Sequence, residues 1–191
     1  MIDPLIYGLG FLEKEPRHFD CLDDSTGEWH KCSKEKICDE NIPKDHYRAD
    51  TNDDEYFDNW VEKFDMLCEP KWKVGLIGSM YFIGVIVGMT FVPLLSDLYG
   101  RRWPFLATLL VFIVGAIGLI IATSLYEAYF YEFLIGFTFA GRIVVGLNWT
   151  MEYQTTRWHQ FTVAAFLQSM AVGVILFTLW YQFVDRGWFL L

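Results

Sequence analysis

Between Val74 and Leu95 the chain runs for 22 residues without a charged side chain. A helix of that length, rising about 1.5 Å per residue, crosses a bilayer core of about 30 Å. Lipid offers no partner to a backbone N–H or C=O, so a spanning segment must satisfy its own groups, and no barrel-type alternation is present. The run predicts a transmembrane helix, and the rest of the chain has to be arranged around a membrane. Three further spans are predicted at about 103–123, 128–153 and 160–184, and residues 188–191 read as the opening of another helix. Gly84 and Gly88 make a small-xxx-small face of the kind that lets membrane helices approach closely. The predicted fold class is an all-α membrane protein: a transmembrane bundle over residues 73–187, preceded by a small cysteine-bearing domain over residues 1–72.

That first segment has a different chemistry. Of the 24 acidic residues, 19 precede Lys73, and so do all four cysteines, Cys21, Cys32, Cys38 and Cys68. An even cysteine count in a short polar segment favours two disulfides and an oxidising compartment. Free thiols and zinc are the competing readings. Zinc is poorly supported, because there is no C-x-x-C pair and only His30 and His46 lie nearby. Three disulfide pairings are open. Turn-rich stretches at 23–27, 41–45 and 51–54 predict irregular structure through 13–72, with a short helix within 50–64 that packs Trp60 and Phe64. The first residues lack the basic start and cleavage-type ending of a signal peptide, so export falls to an internal span or to a preceding helix.

Orientation follows from charge. Arg101 and Arg102 lie between the first two spans and Arg157 between the third and fourth, so the two loops share one face. The positive-inside rule assigns that face to the cytoplasm. Residues 1–72 then fall outside the cell, where disulfides persist. The expectation is a multi-pass protein of the plasma membrane.

Few residues carry chemistry. Ser96 to Arg102 forms a tight charged turn in which Asp97 pairs with an arginine and Gly100 permits the reversal. Arg142 sits deep in the third span, where a charge costs at least about 2.5 kcal/mol and faces a bundle interior or cavity. It either ties helices together or borders a path. Glu132, nearer the outer side, reads as an interfacial residue. Tyr81, Asn148, Trp149, Tyr153 and Gln168 are candidate path-lining residues, and an aromatic surface beside a carboxylate suits an organic cation. The ordinary reading of such side chains is contact with lipid or neighbouring helices. The four histidines are scattered with no nucleophile beside them, no glycine loop cradles phosphate, and the charge is acidic. An enzyme, a cofactor, a metal and nucleic acid are therefore not expected.

The turn sequence resembles the first cytoplasmic signature of the major facilitator superfamily, G-x-L-a-D-r-x-G-R-R/K, through Ser96, Asp97, Gly100, Arg101 and Arg102. It departs at Pro93, where that family has glycine. Arg142 to Gly146 resembles the R-x-x-x-G of the family's fourth helix. Trp60 … Asp65-Met66-Leu67-Cys68 and Gly146-Leu147-Asn148-Trp149 are similar to the organic cation and anion transporter branch. The resemblance implies helices two to five of about twelve, in an N-terminal bundle with a disulfide-bonded extracellular loop before it. It implies alternating access for small organic solutes, with Asp97, Arg101 and Arg102 meeting Glu152 and Arg157 in a cytoplasmic latch. Four spans supply only one wall of a cavity, so transport requires the missing half or a partner membrane chain. The alternative is a non-transporting accessory protein derived from a transporter.

Overall fold

The computed structural model describes residues 16, 18–22, 28–40, 42–49 and 60–183. The predicted turns at 23–27 and 51–54, most of the predicted 50–64 helix, the end of the fourth span at Val184, and residues 185–191 lie outside these residues. Two compact units divide at Val74 and Gly75.

The N-terminal unit is more regular than predicted. Strand β1 (Phe19–Leu22) is the centre of a three-stranded antiparallel sheet, with β2 (Trp29–Cys32) on one side and β3 (Tyr47–Ala49) on the other. Alternation along β1 buries Phe19 and Cys21 and leaves Asp20 on the other face. There Asp20 pairs with Arg48 at 3.5 Å, and the Arg48 guanidinium covers the Trp29 ring at 4.3 Å. Helix α1 (Lys34–Asp39) is capped by Ser33, whose hydroxyl accepts from the Lys36 N–H, and it buries Ile37. Helix α2 (Trp60–Lys63) buries Trp60, which meets Phe64 edge-on.

The four cysteines form two disulfides, Cys21–Cys32 and Cys38–Cys68. The first ties β1 to β2. The second ties α1 to the segment after α2 and closes a loop of 30 residues. Asp65 adopts a φ of 53° and accepts a hydrogen bond from the Tyr47 hydroxyl at 3.0 Å. Burial, and then that bond to Asp65, push the Tyr47 phenol up to about 12.

The helical unit contains α3 (Lys71–Tyr99), which starts in the first unit, α4 (Arg102–Ile121), α5 (Leu125–Phe139), α6 (Gly146–Glu152) and α7 (His159–Phe183). A π-helical turn, Ala140–Val145, joins α5 to α6 without a break. Four stretches are long and apolar enough to cross a membrane: 71–99, 102–121, 125–152 and 156–180. The chain is a multi-pass membrane protein. Helix α3 runs past the predicted end of its span, so Ser96 to Tyr99 are helical and the connection to α4 shrinks to Gly100 and Arg101. Ser124 and Glu127 form a capping box that starts α5, with the Glu127 carboxylate accepting from the Thr123 and Ser124 N–H groups.

Helices α3 and α5 touch backbone to backbone. A Cβ at Gly84 would lie 2.2 Å from the Phe133 carbonyl oxygen, and one at Gly136 would lie 2.0 Å from that of Tyr81. Only hydrogen fits at these points, which is how the small-residue face works in a membrane, where lipid removes the hydrophobic drive for helices to associate. Helix α7 presents no buried side chain among its described residues.

Candidate functional site

Gly100 has a φ of +87°, a conformation that costs a side-chain-bearing residue about 1–2 kcal/mol. It ends α3 and turns the chain so that Arg101 folds back on the helix it has just left. The Arg101 Nη1 donates to Ser96 Oγ at 3.1 Å and pairs with Asp97 at 2.9 Å, both on the last turns of α3. Its Nε donates to Glu152 Oε1 at 2.8 Å, across 51 residues, at the end of α6. One guanidinium therefore joins the α3–α4 turn to the end of the third span. Ser96 is buried and holds the arginine in place. The sequence showed Ser96 in the motif without revealing that role. Arg102 and Arg157 are exposed and, among the described residues, make no ion pair in this cluster.

Arg142 lies in the π-turn, ten residues from Glu152 and so about 15 Å along the helix from the charged end. It is 8% exposed. Its guanidinium stacks on the Phe112 ring of α4 at 3.9 Å, and its Nε donates to Thr138 Oγ1 at 3.3 Å. Thr138 in turn donates to the Ile135 carbonyl. The π-turn is marked by the Gly146 N–H reaching the Gly141 carbonyl five residues back. Gly141 abuts Thr108 of α4, where a Cβ would meet the hydroxyl at 2.1 Å. These contacts make Arg142 a tie between α4 and α5.

Glu132 is 1% exposed, against the expectation of an interfacial residue. The cause is the close α3–α5 contact one turn further on at Gly136, which closes the space around it. Of the candidate path residues, Tyr81 is buried where its backbone meets Gly136. Trp149 is half-buried between Phe105 (5.7 Å) and Tyr153 (6.4 Å). Gly136 and Trp149 are 13 residues apart, about 20 Å along the helix, so Tyr81 and Trp149 do not converge. Asn148 is half-buried, whereas Tyr153 and Gln168 are exposed. A cleft of about 420 Å³ in this unit is lined by other residues, Gln154, Thr155, Trp158, Phe161, Thr162 and Ala165.

Residues 40–176 match the sugar (and other) transporter family, which takes in most of the chain and all the groups just described from Ser96 to Arg157. The chain belongs to that family. Sugar (and other) transporters are part of the major facilitator superfamily, so the resemblance read from the turn sequence holds. Among curated relatives, solute carrier family 22 member 15-like of Xenopus laevis is 28% identical over 146 residues, covering 76% of this chain and 30% of its own. Solute carrier family 22 member 7 of Bos taurus is 31% identical over 147 residues, covering 73% and 26%. Organic cation/carnitine transporter 2 of Rattus norvegicus is 35% identical over 51 residues, covering 27% and 9%. The chain spans less than a third of the length of these relatives. They are transporters and not enzymes, as the reading of the sequence expects of this chain.

Proposed function

We propose that this chain works as part of a secondary transporter of small organic solutes by alternating access, with its charged turn as the latch. The observation that carries the reading is the reach of Arg101 from Asp97 to Glu152. A contact between two helix ends that is made in one access state and broken in the other shifts the balance between them. In this reading the Gly100 end faces the cytoplasm of the plasma membrane, as the arginines there favour, and residues 1–72 are extracellular. Arg102 and Arg157 supply the rest of the positive face, and Gly100 sets the turn. Organic cations are the proposed substrate class, in keeping with the name of the rat relative and the half-buried Trp149. Tyr81, Asn148, Trp149, Tyr153 and Gln168 are proposed to reach the path only when the remaining half, or a partner membrane chain, builds its other wall. Glu132 and Arg142 are proposed as intramembrane charges that fix the bundle.

Uptake of labelled organic cations and anions into cells expressing the full-length gene product tests this. Saturable uptake of a cation that Asp97→Arg abolishes or slows is the expected result. No saturable uptake of either class refutes the transport reading. Labelling of an Arg157→Cys variant from the exterior of intact cells refutes the orientation.

A further inference from the structure

Residues 1–72 are acidic, with 19 aspartates and glutamates against 9 lysines and arginines. The N-terminal unit nevertheless holds a cleft of about 410 Å³ with a single carboxylate in its lining, Glu40. That volume lies in the range of small-molecule sites. The other polar side chains lining it are Lys36, His30 and His46. The rest of the lining is apolar: Leu22, Ile42, Pro43 and the disulfide-bonded Cys21.

Each wall of this cleft is held in place. Cys21–Cys32 ties β1 to β2, and in that register His30 stands opposite Cys21. Lys36 lies on α1 and Glu40 caps its end, with the Glu40 N–H donating to the Lys36 carbonyl at 3.1 Å. The Ile42 N–H donates to the Ile37 carbonyl at 3.1 Å, and the His46 N–H to the Pro43 carbonyl at 2.9 Å. A ligand meets a surface already built, which lowers the ordering cost of binding. The side chains then select among ligands. Among the described residues, no three of the His, Cys, Asp and Glu side chains come together as metal ligands, so a chelated ion does not fit. A simple anion is opposed by Glu40 and a simple cation by Lys36. Among the described residues neither of these side chains enters an ion pair, which leaves both charges for a ligand. Four residues of helix set Lys36 and Glu40 about 6 Å apart along the axis, so a ligand that meets both carries its opposite charges close together. The two imidazoles add hydrogen-bonding nitrogens, and the apolar lining suits a hydrocarbon group.

We infer that this cleft binds a free α-amino acid with an apolar side chain, its carboxylate on Lys36, its ammonium on Glu40 and its side chain against Leu22, Ile42 and Pro43. The site belongs to the N-terminal unit alone and uses none of the residues proposed for the transport path. Binding therefore does not rest on the transport reading. Only the side of the membrane from which the ligand arrives rests on the orientation proposed above.

The test is equilibrium binding of tritiated leucine to the full-length gene product in detergent. Saturable binding is expected. Lys36→Gln and Glu40→Gln are each expected to weaken it about five-fold, the size of a solvent-screened charge contact. Lys36→Arg is expected to keep most of it, which separates charge from folding. Unlabelled 4-methylpentanoate and 3-methylbutylamine keep the hydrocarbon group and one charge each, and both are expected to compete about five-fold more weakly than leucine. Absence of saturable binding overturns the inference. Binding unchanged in both Gln variants also overturns it, since the leucine would then sit elsewhere. Competition by either single-charge analogue as strong as that of leucine overturns it too, because the cleft would then read one charge. Binding in detergent needs no access cycle, so failure here is distinct from failure of the transport reading, which solute uptake tests.

Discussion

Glu152→Gln isolates the one contact that crosses between helices at the latch. Arg101 is 28% exposed and Glu152 51% exposed, so water screens much of the attraction. An exposed ion pair contributes about 0–1 kcal/mol. This pair sits at the upper end, because Ser96 and Asp97 already fix the arginine and little side-chain freedom remains to be lost. About 1 kcal/mol corresponds to about a five-fold change in a two-state population. The reporter is Val145→Cys in the full-length gene product. Val145 is 1% exposed, packed against Val92 and Ala140, and about 10 Å along the helix from Glu152. All four native cysteines are in disulfides, so this chain adds no background thiol. Maleimide labelling from the Gly100 side should quicken about five-fold in Glu152→Gln. Asp97→Asn should do less, because the Asp97 bond to Arg101 spans only four residues and joins nothing across the bundle. If Glu152→Gln leaves the labelling rate at the parent value, or if Asp97→Asn exceeds it, the latch is not the inter-helix contact described here.

Gly136→Ala places a methyl 2.0 Å from the Tyr81 carbonyl oxygen and is expected to destabilise the bundle by about 3 kcal/mol, read as a lowered melting temperature in detergent. Gly75→Ala has nothing within 4 Å and is expected to be neutral or stabilising by up to about 1 kcal/mol, so equal effects would refute the packing argument. Removing Cys38–Cys68 should expose the N-terminal unit to protease more than removing Cys21–Cys32. Their separations of 30 and 11 residues correspond to about 3.6 and about 2.8 kcal/mol of denatured-state entropy. The Tyr47 phenol is raised from an ordinary 10.0 to about 12. Its contribution to stability is therefore whole below pH 10 and is lost as pH climbs through about 12. Phenolate absorbance with Tyr47→Phe as the blank reads this, and Asp65→Asn should bring the titration back toward 10.

The spans were legible because bilayer thickness imposes a length and a lack of charge that local sequence carries directly. The turn was legible for the same kind of reason, since Asp97, Gly100 and Arg101 act within five residues. The N-terminal sheet was not. Its strands are three or four residues long, too short for alternation to stand out, and 24 residues, β2 and α1 among them, separate the end of β1 at Leu22 from the start of β3 at Tyr47. The burial of Glu132 was hidden because it depends on how closely α3 approaches α5 at Gly136 and Gly84, a contact between residues about fifty positions apart. The Ser124–Glu127 capping box was readable as S-x-x-E and marks the true start of the third span at Leu125 rather than Ala128.

The π-turn explains why the path residues resist reading by periodicity. Gly146 bonds five residues back instead of four, so one extra residue is taken into the turn. Every side chain beyond Val145 is then rotated about 100° from where an unbroken α-helix would put it. A face drawn forward from Gly136 and Ala140 at a 3.6-residue period misplaces Asn148 and Trp149 by one position. Arg142 sits inside that same turn. The guanidinium must leave lipid and find an aromatic face on α4, and Gly141, with no side chain, lets Thr108 of α4 come close enough to present Phe112 one turn further along. The charge, the glycine beside it and the local change of helical pitch thus answer one requirement, the burial of a cation in a membrane span. If that is correct, Arg142→Leu removes the requirement, and amide exchange should show Ala140–Val145 protected as an ordinary α-helix. A turn that stays equally exchangeable in the leucine variant would mean the π geometry is set by Gly141 against Thr108 alone.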